Sequence, residues 1–274
     1  MRNDERQVHR MTRFPGAHRV EMVLSTPVGI DIRTALPQRE LRPLLDDAFS
    51  WLRWVDDTFD AGREDSQINR LARDEITLAE CAPEVAEVLQ RRSELRAVIG
   101  REPSPARYVK GWAVERVSRA LAAAGAVDHC VSAGGDIRVR GSARPGTPWK
   151  IGVRDPVRSA KERLRGLRDL HSDAIRTVLF AHDLAVATSD GQAPGQLSTG
   201  IASVTVVGPD LADASAYAEA LYAMGPARAR HTARIIALPK DTQATPYDVL
   251  IVTTDGQAVT TPGFLAYAPE SLAG

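Results

Sequence analysis

The triplet Gly134-Gly135-Asp136 is where this sequence is richest in possible chemistry. It interrupts an apolar strand pattern, HCVSAGGDIRVRG, with two residues that cost backbone entropy and pack nothing. Such a pair fits a place where a ligand approaches the main chain. Taken alone it fits a bulge with a surface aspartate equally well. Its neighbours add polar groups. Lys110-Gly111 reads as the opening of a helix, where free N–H groups and an ammonium could meet a phosphate or carboxylate. Arg154 and Asp155 end the next strand, PWKIGVRDP. Together these could surround a dinucleotide. The pattern is neither a Rossmann fingerprint, since no G-x-G-x-x-G follows a first strand, nor a Walker loop, since no glycine run precedes Lys110.

The elements that must position these residues are readable from periodicity. VEMVLSTPVGIDIRTA alternates with period two around Pro27-Val28-Gly29 and reads as a hairpin or bent strand pair. Leu41, Leu44, Leu45, Phe49, Leu52, Val55 and Phe59 have helical spacing over 38–59. Segment 60–75 is polar, and 82–99 is a helix with Pro83 near its start. REPSPARY reads as a loop, and KGWAVERVSRALAAAGA as a helix stopped at Gly125. LFAHDLAVATSDG, SVTVVGP, ARIIALP and DVLIVTTDGQAVTT read as strands, the last a hairpin around Asp255-Gly256. ADASAYAEALYAMG is an alanine-rich helix, and 157–173 a charged surface excursion. Strands and helices do not alternate regularly enough for a doubly wound sheet, so the fold class is α+β.

Composition bounds the function. The 274 residues carry 35 acidic and 35 basic side chains, so overall charge points to no polyanionic partner such as nucleic acid. Basic residues gather at Arg138–Arg144 and Arg154–Arg168, as a solvated face or a phosphate-attracting rim. Cys81 and Cys130 are too few for a disulfide framework, and Cys130 in an apolar strand reads as core. No apolar run spans a bilayer and the first residues resemble no leader, so the expected location is the cytoplasm; Met11 is an alternative start. His129 and His182 lack metal-ligand partners at motif spacing and read as structural or surface residues, Asp183 is a weaker candidate, and Trp112 reads as a core or pocket-wall aromatic.

The run YVKGWAVERVSRALAAAGAVDHCVSAGGDIRVRG, with PWKIGVRDP after it, resembles the central signature of the ApbE family of flavin transferases in order, spacing and residue type. WLRWVDDTFDAGREDSQINRL, LAVATSDG and SVTVVGPDLADASAYAEALYAMG are similar to the flanking parts of that family, so the resemblance runs from about residue 20 to 265. It implies an ApbE-like, T-fold-related α+β fold of mixed sheets packed with helices. Residues 20–265 would form one domain of two interleaved subdomains with a ligand cleft between them, flanked by a flexible 1–19 and a tail at 266–274. The implied reaction uses FAD and Mg2+. The FMN half passes to a threonine or serine hydroxyl of a flavoprotein, and AMP leaves.

By the same resemblance Lys110, Gly134, Gly135 and Asp136 fall in the flavin-nucleotide site, with Arg154 and Asp155 beside them. Thr188 and Ser189 fall in the turn that helps bind metal and phosphate, and Lys110, Asp136 and Ser189 are the candidate catalytic residues. The family's metal-binding aspartate and threonine, four residues apart on the late helix, correspond to Ser215 and Glu219, with Asp213 near. The candidate metal set is therefore Glu219, Ser215, Asp213 and Thr188, and a packing helix with a stray polar face is the alternative. The sequence departs from the family at Asp60, Ala61 and Gly62, in place of a Ser-Thr-Tyr run. It departs again in AVIGREPSPAR, in Asp190 before Gly191, and in QLSTG, which has no counterpart of the family's histidine. The departures favour a divergent transferase using an FAD-type dinucleotide, acting on a small-molecule acceptor in specialised metabolism. A genuine FAD:protein FMN transferase and a catalytically silent FAD- or AMP-binding protein are the alternatives.

Overall fold

The structure is a computed structural model, and it describes residues 16–157, 174–191, 200–239 and 246–268. Among the described residues, ten strands and six α-helices run in the order β1 (Ala17–Val23), β2 (Thr26–Ile32), α1 (Gln38–Phe59), α2 (Gln67–Ala72), α3 (Pro83–Ile99), α4 (Pro105–Ala123), β3 (His129–Ala133), β4 (Asp136–Arg140), β5 (Trp149–Arg154), β6 (Ile175–Ala181), β7 (Asp183–Ser189), β8 (Ile201–Gly208), α5 (Leu211–Ala223), α6 (Pro226–Ile236), β9 (Asp248–Thr253) and β10 (Ala258–Thr260). The α+β expectation holds.

Eight strands form one open antiparallel sheet in the order β1-β2-β3-β4-β7-β8-β9-β10, and β5 pairs with β6 in a separate two-stranded sheet. Period-two alternation divides the apolar residues between two layers. Val28, Ile30, Val131, Ala187, Val204 and Ile251 face the helices, which cover one side of the sheet. Val139, Leu184, Val186, Val207 and Val252 face the other side, where Ile151, Val153 and Leu179 of β5–β6 cover them together with Phe264. The early hairpin β1–β2 thus joins the late strands in one sheet through β3, β4 and β7.

Three local readings change. The β1–β2 turn lies at Leu24-Ser25, both with positive φ (54° and 55°), and not at Pro27-Val28-Gly29. Two left-handed residues match the twist of a two-residue hairpin, and Pro27 pairs within β2. REPSPARY is not all loop. Ser104 caps α4 by accepting from the Arg107 N–H, and Pro105 supplies a first helical residue with no N–H to satisfy. Lys110 therefore sits in the second turn of α4 and does not open it. ARIIALP, expected as a strand, is the end of α6, whose Ala229, Ala233 and Ile236 bury one helical face. Much of the excursion 157–173 and nearly all of QLSTG lie outside the described residues, as do most of the 1–19 and 266–274 segments.

Candidate functional site

The β3–β4 hairpin turns at Gly134-Gly135, with Ala133 paired to Asp136 across it. Gly134 has φ +62°, a conformation that costs an L-residue energy and glycine little. β4 then directs Asp136 and Arg138 toward the helix layer, where an apolar strand would place hydrophobic residues. α4 lies across them and answers with charge. Lys110 Nζ stands 2.9 Å from Asp136 Oδ2, with Asp136 fully buried. One turn further along, Arg138 lies 3.0 Å from Glu115, again with both side chains buried. Arg140 and Arg119 reach the other Glu115 oxygen at 3.0 and 3.2 Å. Arg138, placed by sequence in a basic surface cluster, is thus 2 % exposed and holds strand to helix.

α5 closes the cluster from the other side. It crosses α4 at Gly111, where a Cβ would stand 2.8 Å from Leu211 O and 3.1 Å from Ser215 Cβ. That approach lets Ser215 Oγ reach both Asp136 Oδ2 and Arg107 O at 3.3 Å. Asp136 Oδ1 is buried and has no hydrogen-bond partner. Buried carboxylate oxygens are rarely left so, and the open oxygen marks where a ligand donor would fit.

The end of β7 forms the third wall. Thr188 O accepts from Arg107 NH2 at 2.9 Å and would lie 3.3 Å from a Cβ on Gly135. Thr188 Oγ1 shares a hydrogen with Thr205 Oγ1 at 3.0 Å, and Ser189 beside it is buried. In the turn beyond, Gly191 has φ +71° and packs against the Tyr222 hydroxyl so closely that a Cβ would overlap it.

The structure therefore gathers Lys110, Gly134, Gly135, Asp136 and Ser215, with Thr188 and Ser189 at their edge. Glu219 shares a helical face with Ser215, and its Oε2 accepts from Ser104 N at 3.1 Å. Asp213 points elsewhere. It binds the Arg91 guanidinium and accepts from Tyr247 Oη at 3.4 Å. That contact raises the Arg91 pKa, while burial raises those of the Tyr108 and Tyr247 phenols nearby. Asp213, Arg91 and Tyr108 line a 310 Å³ cavity together with Trp112 and Glu115. Asp155 pairs with Arg176 at 2.8 Å, and Arg154 stands 3.9 Å from Asp190.

Mg2+ fits these residues less well than a nucleotide phosphate does. Among the described residues no three His, Cys, Asp or Glu side chains come together to hold a metal. Each of the four expected donors already serves another partner: Ser215 at Asp136, Glu219 at Ser104, Asp213 at Arg91 and Thr188 at Thr205.

His129 is structural. It is fully buried, its Nδ1 lies 2.6 Å from Ala126 O and its Nε2 2.8 Å from Ser118 Oγ. Since Ser118 Oγ accepts from Arg140 Nε at 2.9 Å, its own hydrogen goes to Nε2, which fixes the neutral Nδ1–H tautomer. Burial lowers the His129 pKa. His182 is exposed, 3.1 Å from Ser142 Oγ. Cys130 is free and lies on β3, its thiol pushed up to about 12 by burial.

Sequence reasoning missed Arg107 and Thr26. Arg107 stands three residues before Lys110, a spacing that puts both on one helical face, but reading REPSPARY as loop hid it. Thr26 Oγ1 would lie 3.3 Å from a Cβ on Gly134, a contact made by a turn whose position sequence did not fix.

Helices on one face of an antiparallel sheet, with a glycine turn between a buried carboxylate and two helix-borne cations, define an α+β protein whose candidate site suits an anion. The chain belongs to the ApbE family, whose family model matches residues 107–244, about half of the chain. It is 27% identical over 180 residues to an FAD:protein FMN transferase of Vibrio cholerae serotype O1, covering 59% of this chain and 46% of that protein. The match thus spans about half the length of that curated relative. Among solved structures, the flavin transferase ApbE from Vibrio cholerae superposes with a TM-score of 0.72 at 18% identity, over 92% of this chain and 99% of that one. The ApbE protein of Thermotoga maritima gives 0.74 at 17% identity with the same coverage. The apo flavinyl transferase ApbE of Pseudomonas stutzeri gives 0.70 at 15%, covering 92% and 96%. Among the described residues no helix is long and apolar enough to cross a membrane.

Proposed function

We propose that the chain is a flavin transferase that takes FAD as donor and moves its FMN half onto a hydroxyl of a protein acceptor. The observation that carries this reading is the buried Lys110–Asp136–Ser215 cluster under the Gly134-Gly135 turn, with one Asp136 oxygen left open. In the reaction the acceptor oxygen forms a bond to the phosphorus of the FMN half. The bond from that phosphorus to the bridging oxygen breaks, AMP leaves with the electron pair, and the hydroxyl proton passes to a base or to solvent.

The residues have separable tasks. The side-chain-free turn lets the pyrophosphate approach the main chain, and Lys110 supplies a charge as negative charge shifts to the leaving phosphate. Asp136 holds Lys110 in place, Ser215 holds Asp136, and the open Asp136 oxygen accepts from a ligand or acceptor hydroxyl. Ser189 and Thr188 line the exit of β7. A bound Mg2+ would supply further neutralisation of the pyrophosphate, and Glu219 and Ser215 would hold it only by giving up Ser104 and Asp136.

The test is incubation of the protein with FAD, Mg2+ and a flavoprotein that offers an exposed threonine. The expected result is a fluorescent acceptor that survives denaturing electrophoresis, with AMP released in equal amount. AMP release without a labelled protein would redirect the acceptor to a small molecule. FAD left intact and unbound would defeat the reading.

A further inference from the structure

We infer that Arg107 is a second phosphate-binding cation of the site and sets its selectivity for a diphosphate over an uncharged flavin. The inference rests on the reading of this site as one for an FAD-type dinucleotide. Three observations carry it, and they concern charge, satisfaction and position.

The charge of Lys110 is already answered, because Asp136 stands 2.9 Å away and is fully buried. Among the described residues Arg107 has no such partner. No carboxylate among them lies within ion-pairing distance of its guanidinium. Its side-chain hydrogen bond among those residues goes to a neutral main-chain oxygen, Thr188 O, at 2.9 Å. Other arginines of α3 and α4 are treated otherwise: Arg91, Arg116 and Arg119 each pair with acidic side chains. The Arg107 Nε is moreover buried without a partner. A buried guanidinium N–H left open is costly, and an anionic oxygen is what satisfies it best.

Position supplies the direction. Arg107 and Lys110 are three residues apart on one face of α4, and they flank the glycine turn. A Cβ on Gly134 would lie 3.8 Å from Lys110 Nζ, and one on Gly135 3.3 Å from the oxygen that Arg107 holds. Two cations on either side of a bare main chain match two linked phosphates better than one. The planar guanidinium fork can take two oxygens of one phosphate, while the ammonium acts as a point charge on the other. Among the described residues Glu219 also lies near this end of the helix, and its carboxylate accepts from Ser104 N.

The experiment compares the full chain with Arg107→Gln and Arg107→Lys by titration calorimetry, using FAD, ADP and riboflavin as probes. Arg107→Gln is expected to weaken FAD and ADP by about tenfold or more, the scale of one charge-assisted hydrogen bond, with riboflavin changed less than about twofold. Arg107→Lys keeps the charge and is expected to fall between. FAD affinity of Arg107→Gln within about twofold of the parent overturns the proposal. So does an equal loss for riboflavin, which would mean a general disturbance of the pocket. Should Arg107→Gln not fold, Arg107→Lys decides, and parental FAD affinity there overturns it. A parent chain that binds ADP through Arg107 but transfers no flavin would leave this site standing and remove the transferase reading. A parent that transfers flavin while Arg107→Gln binds FAD normally would do the reverse.

Discussion

Replacing Lys110 by methionine removes one partner of a buried ion pair while keeping most of the side-chain volume. Asp136 would then keep one long hydrogen bond, 3.3 Å from Ser215 Oγ, and an Oδ1 that already lacks a partner. Breaking one side of a buried pair costs about 3–5 kcal/mol. The Lys110 side chain is 14 % exposed, so some solvent relief is available and the lower end, about 3 kcal/mol, is expected. That is a large share of the roughly 5–15 kcal/mol that holds an ordinary domain together. Adding Asp136→Asn discharges the stranded carboxylate, so the double variant should recover about 2 kcal/mol over Lys110→Met alone. Urea denaturation at neutral pH of the parent, both single variants and the double completes the cycle. A loss under about 1 kcal/mol for Lys110→Met, with unchanged slope, would refute the reasoning. A double variant no more stable than Lys110→Met would refute it too.

Two further outcomes follow from other packing details. Gly111→Ala would raise helix propensity by about 1 kcal/mol in isolation, but here the new methyl meets main-chain and Cβ atoms of α5 at 2.8–3.1 Å. Overpacking of about 1–3 kcal/mol should win, lowering Tm by a few degrees in a thermal melt, and a raised Tm would contradict the tight crossing. His129 is held neutral, with its pKa lowered by burial, so the unfolded chain binds its proton first as pH falls. Its contribution to stability should be intact above about pH 6.5 and decline below it, by at most about 1.4 kcal/mol per pH unit. Replacing it by glutamine should flatten that slope in denaturation curves taken from pH 7 down to 5, and an unchanged slope would exclude His129 as its origin.

Much of the fold was legible because its signals are local. The spacing of Leu41, Leu45, Phe49, Leu52 and Val55 needs only a 3.6-residue period to place α1, and those residues are buried in it. The glycine pair likewise advertised a bend that strand propensity could not explain. Other features depend on partners distant in sequence. ARIIALP reads as a strand from its apolar run, yet burial of Ala229, Ala233 and Ile236 decides for a helix. Arg138 reads as surface because arginine usually is, and the carboxylates of Glu115 on α4 and Asp183 on β7 make its burial tolerable. Ser215 and Glu219 stand out only through their correspondence to the family's metal-binding pair, and that correspondence could not say that each would already hold another group, Asp136 for the first and Ser104 for the second. Arg107 was lost for a simpler reason, a proline-containing segment that caps a helix and was read as a loop.

The crossing of α5 over α4 also sets an order of events. Ser215 is 79 residues from Asp136 and 108 from Arg107 in sequence, while Lys110 and Asp136 are much closer along the chain. Closing loops of that length costs entropy before the contacts repay it, so contacts of this kind slow folding. On a ribosome, Lys110, Asp136 and the glycine turn emerge together, but the serine that completes them emerges only with α5. A nascent chain ending before α5 can carry most of the named residues and still lack the finished site. A ligand that needs the finished arrangement would bind only the completed fold, and would pull late-folding chains toward it by mass action.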